Sequence, residues 1–523
     1  MAGAFGNHTL GIPYEPVADL LPKYARRDPG KTAIVDLETG TAIDFGQLDQ
    51  VATDVASFLK SKGIKKGSRV LVLSDENLEK LLIWFGIWRI GAVICPFNLE
   101  INEKQMVALT AALDPALILY HKEIDVKPLV GDARAPRIRF GAWSPNGTKD
   151  PQDEFFVSLP RGDAAAMTER NEASDMACIC CTSGTTAKPK IVVYHHAIYW
   201  MNGLNTLEFL GLTEDDRTLE YRSFGWNSPQ ILSLMPFLQK GLTMHIAKRF
   251  SHSRFFEWVQ KHGITFSAGV PTVVNMLLNK PLGYTAKDIP TLRLMSCSTA
   301  PLTAQQWMQF EQMYGVTLLQ FYGMSETGWI CGNRHYAKKM GTVGLPAPHQ
   351  ELKIVDASGN ECPPDVEGEI TVGGPQMFLG YLRDDGSIDS LYGKRMKTGD
   401  LGSKDADGFI RVTGRTKDLI IRGGVNIAPL EIDEILIKHP GIAEAAAVGV
   451  PDKIYGEEVV CYVVAKDRAP TEASVLEHCR QFLPPAKTPK QVMIVLELPK
   501  SDRGKVLRDK LKDDWMARHK VSA

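Results

Sequence analysis

The stretch Thr182-Ser183-Gly184-Thr185-Thr186-Ala187-Lys188-Pro189-Lys190 decides how the chain is read. An apolar run, Met176–Cys181, leads into it and Ile191-Val192-Val193-Tyr194 leads out, the pattern of strand, tight loop and strand. The loop gathers four hydroxyls and two lysines around one glycine, which lets the backbone turn its N–H groups toward an anion. Hydroxyls, amides and ammonium groups together make a cradle for phosphate. It is not a Walker A loop, which needs Gly-x4-Gly-Lys-Ser/Thr. The same residue types also build a solvated Ser/Thr/Gly turn, so the rest of the chain has to choose between the two.

At 523 residues the chain exceeds a single core, and two or more domains are expected. A hydrophobic content of 44% and a charged content of 23% are ordinary for a soluble globular protein. A formal net charge of −1 argues against a general polyanion binder and against nucleic acid as partner. The nine cysteines are scattered and odd in number, which indicates neither a disulfide framework nor a zinc site. Cys178, Cys180 and Cys181 read as filler in a buried strand. A reducing compartment, the cytoplasm, is the expectation. Residues 1–16 lack the apolar core of a secretory signal. The most apolar segment, 81–97, is broken by Gly86, Arg89 and Gly91 and is too short to span a bilayer.

Residues 17–130 alternate helical and strand patterns, which implies a parallel sheet covered on both faces. Phe45 to Lys62 places Leu48, Val51, Val55 and Leu59 at helical spacing. Residues 67–73 read as a strand, 78–88 as a helix and 92–95 as a strand. Residues 131–174 read as irregular or edge structure, and the alternation resumes from 197.

Four further stretches carry chemistry. Phe321-Tyr322-Gly323-Met324-Ser325-Glu326-Thr327-Gly328 reads as a loop past a strand end, where open α/β sheets bind ligands. Tyr322 offers a face for a base, Ser325 a donor to phosphate, and Glu326 a carboxylate for Mg²⁺. A polar loop with a capping Ser/Glu pair is the plainer alternative. Lys397-Thr398-Gly399-Asp400-Leu401 reads as a turn with an aspartate suited to ribose hydroxyls. Gly414-Arg415-Thr416-Lys417-Asp418 leads through an apolar run to Arg422-Gly423-Gly424-Val425-Asn426, and a helix is expected from Pro429. Near the end, Lys505 stands on a glycine-bearing loop before a basic helix.

In this order and spacing, these stretches resemble the acyl-CoA synthetases of the adenylate-forming superfamily, from about Tyr24 to Lys510. The resemblance implies that Thr182, Ser183, Gly184, Thr185, Thr186 and Lys190 clasp the ATP phosphates. It implies that Ser298, Thr299 and Ala300 lay backbone against adenine while Tyr322 stacks on it. Ser325 then meets the α-phosphate, Glu326 holds Mg²⁺, and Asp400 and Arg415 take the ribose. Lys417 is the implied hinge, Gly423 and Gly424 the face that admits the pantetheine of CoA, and Lys505 the catalytic lysine bridging carboxylate and α-phosphate. The acyl pocket is lined by analogy from 221–227, 268–271 and 321–330, with Trp226, Val270 and Gly323 as its markers. Trp226 would also serve as plain core, and Trp329 as a pocket floor. His195 and His196 read as helix-start packing. Ala187 and Ile191 depart from the family pattern, where glycine is usual.

The expected fold class is therefore α/β: a large N-terminal domain of several subdomains, residues 1–416, with parallel and mixed sheets covered by helices. A small mobile α+β domain, residues 417–523, should follow. The expected reaction is ATP-dependent activation of a carboxylic acid to acyl-AMP and transfer to CoA, giving acyl-CoA, AMP and pyrophosphate. The alternative is an adenylating enzyme that loads a carrier-protein phosphopantetheine. The acid and the oligomeric state are not readable.

Overall fold

The computed structural model of the chain describes residues 14–147, 150–164, 169, 171–182, 190–300, 302–466, 468–500 and 505–519. Its helices begin where the sequence supplies caps. Asp44 accepts from the Gln47 N–H at 2.7 Å and Gln47 returns the bond to the Asp44 N–H, a capping box that starts the helix Phe45–Ser61. Leu48, Val51, Val55 and Leu59 are buried along it. This face packs on the helix Leu78–Arg89, every residue of which is buried. A Cβ on Gly86 would lie 2.3 Å from Val55 Cγ1, so the glycine that interrupts the apolar run is where the two helices touch.

Among the described residues the strands form sheets of nine, eight, five and four. In the nine-stranded sheet Arg217–Glu220, Phe266–Ser267, Leu294–Cys297 and Thr317–Met324 run parallel and side by side. Their carboxyl ends share one edge and deliver residues 221–227, 268–271, 298–300 and 324–326 to it. In the eight-stranded sheet Arg69–Leu73, Val93–Cys95 and Met176–Cys181 are likewise parallel. The two edges meet, because a Cβ on Gly225 would lie 2.9 Å from the Pro96 carbonyl, just past the Val93–Cys95 strand. Carboxyl-terminal edges are where such sheets hold ligands.

Met176–Cys181 turns back on Ile191–His195 as an antiparallel hairpin, as the opening stretch predicts. Cys178 and Cys181 stand at C-x-x-C spacing but pack into different clusters on opposite faces of the strand. All nine cysteines are free, and all but Cys362 are buried.

Met396–Lys404 and Ile410–Arg415 belong to the antiparallel four-stranded sheet. The last sheet combines Ile420–Arg422, Val425–Ile427, Ile442–Asp452, Gly456–Ala465 and Gln491–Val495. Helices Pro429–Ile437 and Glu472–Phe482 cover one face of it and Arg508–His519 the other. A large α/β body and a smaller α+β unit result.

Two expectations are corrected. Residues 321–324 are not loop: Thr317–Met324 continues as strand, paired antiparallel to Gly328–Gly332, and only Ser325, Glu326 and Thr327 form the tip. Residues 397–401 are not a free turn but the middle of Met396–Lys404, and the left-handed Gly399 (φ 74°) merely bends it. In both places pairing with the next strand of a hairpin overrides turn-like composition. The 131–174 stretch is mostly irregular but contributes an edge strand, Arg137–Phe140.

Candidate active site

The mouth of the hydroxyl-rich loop is pinned. The Thr182 N–H donates to the Lys190 carbonyl at 2.8 Å, and the Lys190 N–H donates to Thr182 Oγ1 at 3.3 Å. Ser183, Gly184, Thr185, Thr186, Ala187 and Lys188 lie outside the described residues. Ile191, where the family favours glycine, is a buried strand residue paired with both Cys181 and Leu382.

Strand pairing places Asp400 directly opposite Arg415. Arg415 Nε lies 3.1 Å from Asp400 Oδ1, and the Tyr322 hydroxyl donates to Oδ2 at 2.6 Å. The Asp400 N–H donates to the Thr398 hydroxyl at 3.1 Å, which fixes the bend that aims the carboxylate. Burial and the Asp400 charge push the Tyr322 phenol well above its usual range, so it stays a donor.

Lys505 reaches the same place from the far end of the chain. Its pKa is lowered to about 8, first by burial, then by the positive Arg415, with Asp400 and Asp418 opposing. The loop that carries it is closed by the Leu507 N–H donating to the Pro499 carbonyl at 2.8 Å. Arg508 holds that loop to the rest of its unit through Asp433 and the Ala447 carbonyl. A lysine set beside a carboxylate–guanidinium pair is equipped to meet an anion.

Glu326 is held from two sides. Its Oε1 accepts from the Tyr381 hydroxyl at 2.6 Å and its carbonyl accepts from the Phe378 N–H at 2.8 Å. The Tyr381 ring carries the Lys190 ammonium 4.6 Å from its centroid. Tyr381 thus links the loop's exit strand to the tip carboxylate, and Ser325 sits against the buried Tyr194 phenol. Among the described residues no cluster of three or more His, Cys, Asp or Glu could cage a metal. A single carboxylate suits Mg²⁺, which takes one or two carboxylates and completes its shell with phosphate and water.

In the stretch 298–300, Thr299 is left-handed (φ 79°), a conformation costing a non-glycine residue about 1 kcal/mol. Next to it the Ser298 hydroxyl is buried with no hydrogen-bond partner among the described residues.

Comparison with known proteins bears on this geometry. The family "AMP-binding enzyme" matches residues 21–382, and its C-terminal domain matches 431–505. The chain is an AMP-binding enzyme. It is 30% identical over 507 residues to the sulfoacetate–CoA ligase of Cupriavidus necator, covering 95% of this chain and 97% of that one. It is 31% identical over 512 residues to the indoleacetate–CoA ligase of Aromatoleum aromaticum, covering 94% and 97%. The ATP-bound structure of MatB from Rhodopseudomonas palustris superposes with a TM-score of 0.84 at 27% identity, covering 95% and 99%.

The remaining expected residues of this AMP-binding enzyme separate into two groups. Trp226 is half-buried at the shared edge, its N–H donating to the Ser223 carbonyl at 3.0 Å, and Val270 is half-buried one residue before the helix Pro271–Asn279. Gly323 has a structural reason of its own, since a Cβ there would lie 2.3 Å from the Gly328 carbonyl across the hairpin. Trp329 is core, its indole N–H donating to Thr206 Oγ1 at 2.8 Å. The second group lies on the C-terminal side, between Thr416 and Val425. Gly423 (φ 58°) and Gly424 (φ 83°) form the tight turn between Ile420–Arg422 and Val425–Ile427, packed on Tyr455. A Cβ on Gly424 would meet nothing within 4 Å. Lys417, in the single turn Thr416–Asp418, has its ammonium 3.9 Å from both Asp418 and Asp509.

His195 and His196 are helix-start residues. His195 Nδ1 accepts from the Ile198 N–H at 3.1 Å and Nε2 pairs with the Met377 carbonyl at 3.0 Å. Burial lowers His195 to about 4 and His196 to about 3, so both are neutral. Sequence reasoning missed Tyr381 and Thr398. Tyr381 sits in a three-residue strand between the nearby Ile388–Ser390 and the remote Ile191–His195, too short to show a period in the sequence.

Proposed function

We propose that the Asp400–Arg415–Tyr322–Lys505 cluster is the adenylating centre of an AMP-forming acid–CoA ligase. The observation that carries the reading is that Lys505, from the C-terminal unit, shares its electrostatic environment with Asp400 and Arg415 of the large body. Members of this family activate acids with ATP and transfer them to CoA, and this enzyme catalyses that reaction.

The chemistry gives each residue a task. A carboxylate oxygen attacks the α-phosphorus of ATP, the bond to the β-phosphate breaks, and pyrophosphate leaves. Asp400 and Arg415 hold the ribose while Tyr322 flanks the base, so the reacting phosphate has a fixed position. Lys505 bridges the incoming carboxylate and the α-phosphate and offsets the charge of two meeting anions. Mg²⁺, carried by Glu326 and the phosphates, would supply further charge neutralisation. The CoA sulfur then attacks the acyl carbonyl, the carbonyl–phosphate bond breaks, and AMP departs.

On this reading residues 1–416 and 417–523 are the two domains, and Lys417 is the hinge. On this reading the nearness of Lys505 to Asp400 and Arg415 corresponds to the adenylating pose. Rotation about 416–418 would retire Lys505 and bring Gly424 to the cleft, where its lack of a side chain clears a path for pantetheine. No helix among the described residues is long and apolar enough to cross a membrane. Free cysteines throughout fit a reducing, cytoplasmic setting.

The test is pyrophosphate release from ATP and Mg²⁺ across a panel of carboxylic acids, each with and without CoA. Turnover that requires an acid, with AMP and a thioester appearing only when CoA is present, is the expected result. Adenylation that CoA fails to carry forward would overturn CoA as the acceptor.

A further inference from the structure

Resting on the acid-binding reading above, we propose that Arg222 reads the far end of the acid. The preferred substrates are then short carboxylic acids whose tail carries an anionic oxygen group, a second carboxylate or a sulfonate.

Arg222 is the second residue past the strand Arg217–Glu220, on the shared carboxyl-terminal edge. The Tyr221 hydroxyl donates to the Ala268 carbonyl at 2.5 Å, tying this stretch to the next strand end. Arg222 also lies within electrostatic reach of the Cys297 thiol, at the end of the strand beyond. Its guanidinium is therefore set among the strand ends that border the cleft.

The group is held in one orientation. Nε donates to Glu220 Oε1 at 2.8 Å, Nη2 to Oε2 at 2.7 Å, and Nη1 to Ser228 Oγ at 2.9 Å. Glu220 is fully buried and saturated, since it also accepts from the Tyr221 and Arg222 N–H groups and from Ser233 Oγ. Three of the five guanidinium N–H groups are used in this way. The other two, one on each Nη, carry no bond to a described residue, and the side chain keeps 11% of its surface exposed.

A planar guanidinium fixed by Glu220 and Ser228, with two N–H groups unused by described residues, is a donor set that suits a carboxylate or sulfonate. An apolar acyl chain would gain nothing from it and would leave those donors unsatisfied. The neighbouring wall is polar as well. Ser223 Oγ donates to Glu76 Oε1 at 2.7 Å, and the buried Lys80 ammonium donates to the same oxygen at 2.6 Å. A pocket for a long aliphatic acid would be lined differently.

The experiment compares kcat/KM for pyrophosphate release between acids of matched size: succinate against 4-methylpentanoate, and malonate against 3-methylbutanoate. The wild-type enzyme should favour the oxygenated member of each pair by roughly tenfold or more, because a site built for hydrogen bonding rejects the analogue that lacks it. Arg222→Met should abolish or reverse that preference while ATP binding, read by calorimetry without acid, is unchanged. Equal loss toward both members would overturn the proposal. If Arg222→Met fails to fold, the wild-type ratio decides alone, and preference for the branched alkyl acids overturns it. Silence toward every acid of a broad panel would overturn the ligase reading and this proposal together, whereas turnover confined to alkyl or aryl acids overturns only this one.

Discussion

Lys505 is the residue on which the two half-reactions should part. Lys505→Ala should slow acyl-AMP formation by roughly 10²-fold or more, yet leave thioester formation from supplied acyl-AMP much less affected. Rapid-quench assays of the separate half-reactions check this, and equal losses would count against a single-step role. Its pKa of about 8 adds a pH dependence. The ammonium is present below that value and lost above it, so kcat/KM for adenylation should fall as pH rises through about 8. The profile of kcat, which reports the complex, should turn down at higher pH because bound phosphates restore the charge. Tyr381 makes a different prediction. Tyr381→Phe removes the donor that orients Glu326 and keeps the ring beneath Lys190. The Mg²⁺ concentration for half-maximal adenylation should rise several-fold, with a matching weakening of Mn²⁺ binding to the ATP complex measured by electron paramagnetic resonance. An unchanged metal requirement would show that Glu326 needs no such support.

The helix His196–Leu210 begins on a buried histidine cap, and this sets an acid limit on stability. His195 and His196 are neutral when folded, with pKa values of about 4 and about 3, while unfolded histidine titrates near 6.5. Between about 6.5 and 4 the unfolded chain therefore binds more protons. Stability should fall as pH drops through that window, by about 1.4 kcal/mol per pH unit for each histidine. Thermal unfolding followed from pH 7 to 4 checks the slope, which His195→Gln should reduce at some loss of stability at pH 7. Elements of this kind were largely legible in the sequence. Leu48, Val51, Val55 and Leu59 declare their helix by spacing alone, and Met176–Cys181 declares its strand by being apolar throughout. Asp400 was legible as chemistry but not as structure. Lys-Thr-Gly-Asp has the composition of a turn, and only the ladder to Ile410–Arg415 makes it strand. Tyr322 was hidden in the same way, by its hairpin partner Gly328–Gly332. Tyr381 left no mark, because a strand of three residues has no period to read.

At the scale of the whole molecule the proposed rotation depends on residues 416–418. Lys417→Pro removes a backbone donor and stiffens that turn. Adenylation should then stay within a few-fold of wild type while the thioester step slows by about an order of magnitude or more, as expected when a conformational step is gated. Loss of both steps alike would place the effect in folding rather than in motion. The resemblance legible in the sequence supplied the family and the order of its motifs. It did not supply the acid, since the relatives named above act on compounds as unlike as sulfoacetate and indoleacetate.

The bond between Arg508 and Asp433 has a wider consequence. Arg508 follows the Lys505 loop, and Asp433 lies in the helix that follows the Gly423–Gly424 turn. The two working edges are thereby held in one piece and move together under the proposed rotation. Under the proposed rotation the enzyme acts as an interlock: while Lys505 is engaged the thiol has no door, and once the door opens the first reaction can no longer run. A reactive anhydride is then made only in a closed chamber and exposed only to the partner that consumes it.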